Sequence, residues 1–512
     1  MCLLVVALFT LQFARSVNRS CDPDEYQFVA PAAMLAAHGR LPYVDYPYFH
    51  MPELVFLLAA ATGRTSWKLL AARSVSAACG TATVAALFAL GWRAMAGVPP
   101  RLRWTLVGGP VLVFATCRLF TYTSGGAWNH DTAVLCLVLA FGLHLRGLRR
   151  GSVAAVAGAG MFAGLAFGIR LSLALAVVPL AVSVATGPSP FSRARRAAAI
   201  VAAAAAAVLV NAPFLWLLAL APRRVVFGNL GYPGISTAYY RSIHQPQMST
   251  LGKVGSSLAK FVTDPGNLLL LVAFTAAVTS PVWRRCRPGS PASHGGPWTG
   301  PFRHEFRSAI GVVAALWVGA MGPTPMMQQY NYALVPFMLL ATLYALATAA
   351  TLDTARAARL ARGVAIAAVV VGGSGLRWYW WVVRLPSPQR WEPVVQHAQG
   401  QWIRGLTGPA AHVLTIEATI PLEAGLEIYP EFATGRFVLL TARFLPASDR
   451  RAQGLFDASD LPGLLARRPP DAVFARLPAT SDQPFVDYAS AHGYRRVLSA
   501  DHSNQLWLRP GL

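Results

Sequence analysis

Long apolar runs separated by short polar loops fill the first three quarters of the chain. Read as helices, they predict eleven membrane spans, near 2–17, 68–92, 104–120, 131–145, 152–169, 171–186, 198–220, 261–283, 308–322, 331–350 and 363–383. Arginines gather in every second loop: Arg93, Arg101 and Arg103; Arg146, Arg149 and Arg150; Arg193, Arg195 and Arg196; Arg284, Arg285, Arg287, Arg303 and Arg307; then Arg356, Arg359 and Arg362. The intervening loops are longer and poorer in basic residues. Positive loops stay on the cytoplasmic side, so this alternation puts the N-terminus inside. Residues 18–67 then form the first outer loop, 221–260 another, and the chain beyond about 384 also lies outside. The first run is interrupted by Arg15 and lacks the basic start and small-residue cleavage site of a signal peptide, so it reads as a retained span.

The pattern changes at about 386. Short apolar runs at 411–417, 435–444 and 470–477 read as strands, and 458–468 and 484–494 as helices. This predicts two parts: a transmembrane module over 1–385 and a small extracytoplasmic α/β domain over 386–512. The tail contains no GxGxxG, P-loop or GxSxG, so the sequence assigns it no chemistry.

Composition fixes the solvent. The chain is 55% hydrophobic and only 13% charged, against about 25% charged in a typical soluble domain. The net charge of +23 would suit nucleic acid, but arginines placed by topology account for it, and a nucleic-acid partner is set aside. The Ala-rich run 197–210 reads as close-packed span, and the Pro-, Gly- and Ser-rich stretch 284–300 as a flexible cytoplasmic loop. Six cysteines show no CxxC and no metal-ligand spacing. Cys21 and Cys117, both on the outer side, could pair, but the free-thiol reading is preferred.

Against this acid-poor background, "CDPDEYQ" at 21–27 packs Asp22, Asp24 and Glu25 just beyond the first span. Asp22 suits a helix N-cap, Pro23 the first helical position and Glu25 the far end of a capping box. That accounts for Asp22 and Glu25 without chemistry, and leaves Asp24 free to face the loop. Arg170, between two apolar runs at the outer surface, is a costly boundary charge and a candidate for substrate binding or for snorkelling to lipid headgroups. His50 in "FHMP" suits a phosphate or the cap of the next helix. Asn129, His130 and Asp131 lie at the mouth of a span, where Asp131 also serves as an N-terminal helix acid. Tyr330 and Tyr332 fit an interfacial aromatic belt or a sugar platform.

The stretch "DEYQFVAPAAMLAAHGRLPYVDYPYFHMPELVFLLAA" resembles the first outer loop of the GT-C glycosyltransferases: an Asp-Glu step, G-x-x-PY-x-D, then H-x-P. "FAGLAFGIR" (162–170), "FGNLGYPGISTAYYR" (227–241) and "QQYNYALVPF" (328–337) are similar to later family segments. The resemblance implies an all-α polytopic membrane protein of about eleven transmembrane helices, with a small C-terminal α/β extracytoplasmic domain. It implies transfer of a sugar from a polyprenyl-phosphate donor to a hydroxyl of a glycan, lipid or protein, in the plasma (inner) membrane with the site facing outward. Asp24 and Glu25 become the catalytic pair, Asp24 as general base of an inverting displacement. His50, Arg170, Asn129, His130 and Tyr330 become substrate-binding residues. No residue is assigned to a metal, and a divalent ion is left open as a cofactor. The alternative is a polytopic transporter or flippase, disfavoured because no inverted repeat is visible and the ionisable residues gather on one face.

Overall fold

The computed structural model describes residues 2–187, 190–245, 249–285 and 299–512. The stretch 284–300, read as a cytoplasmic loop, lies largely outside them. Each of the eleven apolar runs falls on helix. Among the described residues, four helices are long and apolar enough to cross a membrane: Lys68–Ala94, His130–Arg150, Gln328–Leu352 and Ala355–Arg384. Three further pairs meet the same test only when taken together, because each is bent. The multi-pass character of the chain stands, and the crossing count is coarser than eleven straight spans.

The bends have physical causes. α1 (Cys2–Asn18) and α2 (Pro23–His38) meet at 98°, across the cap residue Asp22 and the helix-starting Pro23. After α2, Gly39 takes φ 65° and closes the helix with a left-handed cap, a conformation glycine adopts without Cβ strain. α3 (Glu53–Thr62) leads to α4 (Lys68–Ala94). α5 (Pro100–Thr116) stops at Cys117, and the short α6 (Arg118–Thr123) turns toward α7 (His130–Arg150). α8 (Val153–Ile169) ends at Arg170, whose extended backbone (φ −147°) breaks the helix before the 3-10 turn Leu171–Ala176.

The Ala-rich run packs as its composition predicts. A Cβ on Gly160 would lie 2.2 Å from the Ala203 carbonyl oxygen, and one on Gly164 would lie 2.7 Å from Ala207 Cα. Small residues on both helices let the backbones approach. The other face of the Arg193–Val210 helix leaves Val201 and Leu209 exposed, as a lipid-facing surface would.

The tail forms one mixed sheet in the order β2-β1-β3-β5-β4. β1 (His412–Leu414) pairs in parallel with β2 (Glu427–Ile428) and with β3 (Ala472–Arg476). β5 (Asn504–Leu508) runs antiparallel to β3 and to β4 (Arg495–Leu498). The α/β expectation holds in outline, but 435–444 is a helix over Phe437–Ala442 and not a strand. Short apolar runs are ambiguous by period alone. Here Val438, Thr441 and Ala442 are the buried positions, the i, i+3, i+4 face of a helix. One core of this domain also takes in Phe49, from the segment between α2 and α3, and Tyr232, stacked 3.9 Å apart. The sheet is therefore seated directly on the loops that carry the candidate residues.

Candidate active site

The start of α2 is built as its sequence dictates. The Asp22 carboxylate accepts the Asp24 N–H at 3.0 Å, and Glu25 accepts the Asp22 N–H at 2.9 Å, completing the capping box. Glu25 is also fully buried, and both its oxygens accept from Arg73 of α4, at 2.7 and 2.9 Å. It takes the Ala127 N–H at 2.6 Å as well. Burial alone would raise its pKa, but Arg73 outweighs burial and holds it below the ordinary value. Arg73 donates in addition to the carbonyls of Ser16, Arg19 and Ser20. The pair thus fastens the end of α1 to the start of α2, and Glu25 has no lone pair left for a substrate proton.

Asp24, one residue earlier, is the opposite case. Among the described residues no side chain or backbone group donates to its carboxylate. Burial, and then the neighbouring Asp22, push its pKa up to about 7, against the pull of Arg436 and Arg19. It lies within electrostatic reach of Tyr330 and Tyr240.

Arg170 is buried at 9% exposure. It donates to His130 Nδ1 and to Ser172 Oγ, the latter at 3.0 Å, and its guanidinium sits 5.3 Å from the centre of the Tyr330 ring. His50 meets Gln27 of α2 at 3.1 Å, on the turn after Asp24, and the Tyr43 hydroxyl donates to the His50 carbonyl. Burial and then Arg170 bring the His50 pKa down to about 4, so its ring is neutral. Arg170 thus joins His130 and Tyr330 by contact and reaches His50 through its charge, while Asp24 is linked to them only by its electrostatic reach to Tyr330. Asn129 stands next to His130 at the head of α7, buried but without a side-chain capping bond. Asp131 is turned elsewhere: it accepts the Gly125 N–H at 2.7 Å and the Tyr332 hydroxyl at 3.2 Å.

Three cations at this site were not picked out from the sequence. Arg73 sits inside an apolar run and is legible only through its partner. Arg19, 4.8 Å from the Trp128 ring centre, lies only five residues before Asp24, and that proximity was a usable signal. Arg436 comes from the tail, which the sequence left without chemistry. The tail is held at α2 by Tyr26, which donates to Glu417, while Arg476 donates to Tyr26 at 3.0 Å and to Glu417 at 2.8 Å. Nothing local marks Arg436, because only docking of the domain brings it to Asp24.

No family model matches the sequence, and no curated protein matches it. Among solved structures the chain is similar to ArnT from Cupriavidus metallidurans bound to undecaprenyl phosphate. The identity is 16% and the TM-score 0.57, over 99% of this chain and 97% of that one. It is also similar to the oligosaccharyltransferase of Archaeoglobus fulgidus in complex with zinc and sulfate. There the identity is 13% and the TM-score 0.51, over 92% of this chain and 68% of that one. At these identities the likeness is one of fold, and it runs over nearly the whole of this chain.

Proposed function

We propose that the protein is a membrane glycosyltransferase that moves a sugar from a polyprenyl-phosphate donor to an acceptor hydroxyl at the extracytoplasmic surface. One observation carries the reading: a buried carboxylate that accepts no hydrogen bond, with a pKa of about 7, lies within electrostatic reach of Tyr330, whose ring packs against the buried Arg170 guanidinium, in a fold similar to that of ArnT. The arginine alternation along the sequence supports the outward orientation.

The chemistry follows from the residues. As the acceptor oxygen bonds to the anomeric carbon, its proton passes to the Asp24 carboxylate. The bond from that carbon to the phosphate oxygen breaks, and the phosphate leaves with the electron pair. Charge develops on the leaving oxygen, where Arg170 supplies fixed positive charge. Attack opposite the leaving group inverts the anomeric centre. His50 and His130 present ring nitrogens to sugar hydroxyls, and Tyr330 offers a ring face against Arg170. Glu25 is a positioning residue in this scheme, since Arg73 and backbone donors occupy its oxygens. Among the described residues no three His, Cys, Asp or Glu side chains converge on a metal position. Arg19 and Arg436 also oppose a divalent cation at Asp24, so no step is routed through a metal.

The test is transfer from polyprenyl-phosphate hexoses and pentoses by the purified protein, read as release of polyprenyl phosphate by mass spectrometry. Release by the native chain and its loss in Asp24→Asn are expected. Equal release by both would remove Asp24 from the reaction.

A further inference from the structure

A second basic region lies beside the cluster around Asp24, with a cleft of about 250 Å³ where the end of α1, α6 and the aromatic segment Leu376–Arg384 meet. Arg15, Arg19, Arg118, Tyr122, Trp378 and Trp381 line it. Arg118 packs 4.2 Å from the centre of the Trp378 ring, and its guanidinium makes no hydrogen bond or ion pair among the described residues. Arg377 lies 4.9 Å from the same ring. Arg15 is 4% exposed. It donates to Gln12 and to the Ser124 carbonyl, yet its Nε–H is buried without an acceptor, as is the indole N–H of Trp378.

The nearby acids do not neutralise this set. Asp22 reaches only Arg19, at 3.9 Å. Asp264 accepts the backbone N–H groups of Arg118 and Asn267. Asp131 also acts on Arg15, and Asp24 and Glu25 on Arg19, but Arg118 and Arg377 make no ion pair among the described residues, and two buried donors lack an acceptor. Leaving such donors unmade is costly, and oxyanions satisfy them with short charge-assisted bonds. The tryptophans identify where the anion comes from. Trp380 and Trp381 stack at 4.1 Å, with Arg384 over both rings, an arrangement suited to the headgroup level of a bilayer.

We infer that this cleft binds the phosphate of a membrane lipid, at a position distinct from the reacting carboxylate. Two lipids share that chemistry: an anionic phospholipid, and a polyprenyl monophosphate. The inference does not rest on the glycosyl-transfer reading.

The full chain is placed in phosphatidylcholine nanodiscs containing either phosphatidylglycerol or a polyprenyl monophosphate, and retained lipid is counted by native mass spectrometry. The expected result is selective retention of an anionic lipid, reduced about tenfold in Arg118→Gln and unchanged in Asp24→Asn. Trp378→Phe removes only the indole N–H and is expected to weaken retention in the same direction, which keeps the test valid if Arg118→Gln does not fold. Retention of phosphatidylglycerol identifies the bulk phospholipid as the ligand. Retention of the polyprenyl phosphate alone identifies the carrier. Retention of the anionic lipid that is unchanged in both cleft variants, or no preference over phosphatidylcholine, overturns the inference. Loss of transfer in Asp24→Asn with lipid retention intact separates this site from the catalytic one.

Discussion

Two carboxylate–arginine assemblies share the first turn of α2, and they differ in one respect. In the Glu25–Arg73 pair every charge is met: both partners are fully buried, and the remaining donors and acceptors are taken by backbone. Around Asp24 and Arg170 the carboxylate accepts no hydrogen bond among the described residues, and the guanidinium, linked to it only through Tyr330, is shared between a histidine, a serine and an aromatic face. The closed assembly resists change and fixes geometry. The open one holds a base near neutrality and a cation aimed at anionic ligands. Adjacent residues of the same chemical type are thus divided between architecture and reaction by what surrounds them.

Asp24→Asn should lower transfer by about 10²–10⁴-fold, the range for loss of a general base, while the protein still folds. Thermal stability at neutral pH should be unchanged or higher, because the substitution removes a desolvated charge. Arg73→Met should instead cost about 3–5 kcal/mol of stability by stranding Glu25 in the interior, seen as lost yield and a lower Tm. Glu25→Leu combined with Arg73→Met should recover much of that stability, since neither charge is then left alone. If the single variant is as stable as the native protein, the closed assembly is not a fastening.

Arg170→Ala is expected to weaken apparent donor affinity about tenfold or more through a lost charge-assisted contact, measured as KM for the lipid-linked sugar. The pH profile sharpens the contrast further. A base must be ionised to accept a proton, so transfer should fall as pH drops through about 7, the Asp24 value. Glu25, held below its ordinary value, contributes stability above the usual carboxylate range and loses it only as pH falls through its folded value. Activity should therefore fail at a higher pH than the fold does. Asp22→Ala should have the smallest effect, about 1 kcal/mol from a lost N-cap, with turnover retained.

Much of this was legible along the chain. The apolar runs, the alternating arginines, the capping box at 22–25 and the outer-loop motif are all local patterns. Each rests on a few neighbouring residues or on a fixed hydrophobic length. The failures were equally physical. The run 435–444 was too short for its period to separate strand from helix. The tail was left silent because the property that matters, Arg436 beside Asp24, arises only after the sheet docks on α2 through Tyr26, Glu417 and Arg476.

The sequence by itself determined that this chain is multi-pass, that its helix starts are capped and that an acid follows the first span. Propensity and hydrophobicity act over a few residues and need no partner to be read. Which of the neighbouring acids is spent on structure and which is left with a free lone pair was decided only by tertiary contact. A guanidinium from α4, 48 residues further along the chain, buried itself against Glu25 and not Asp24. A carboxylate's role depends on the dielectric and the donors around it, and these exist only once the chain has closed.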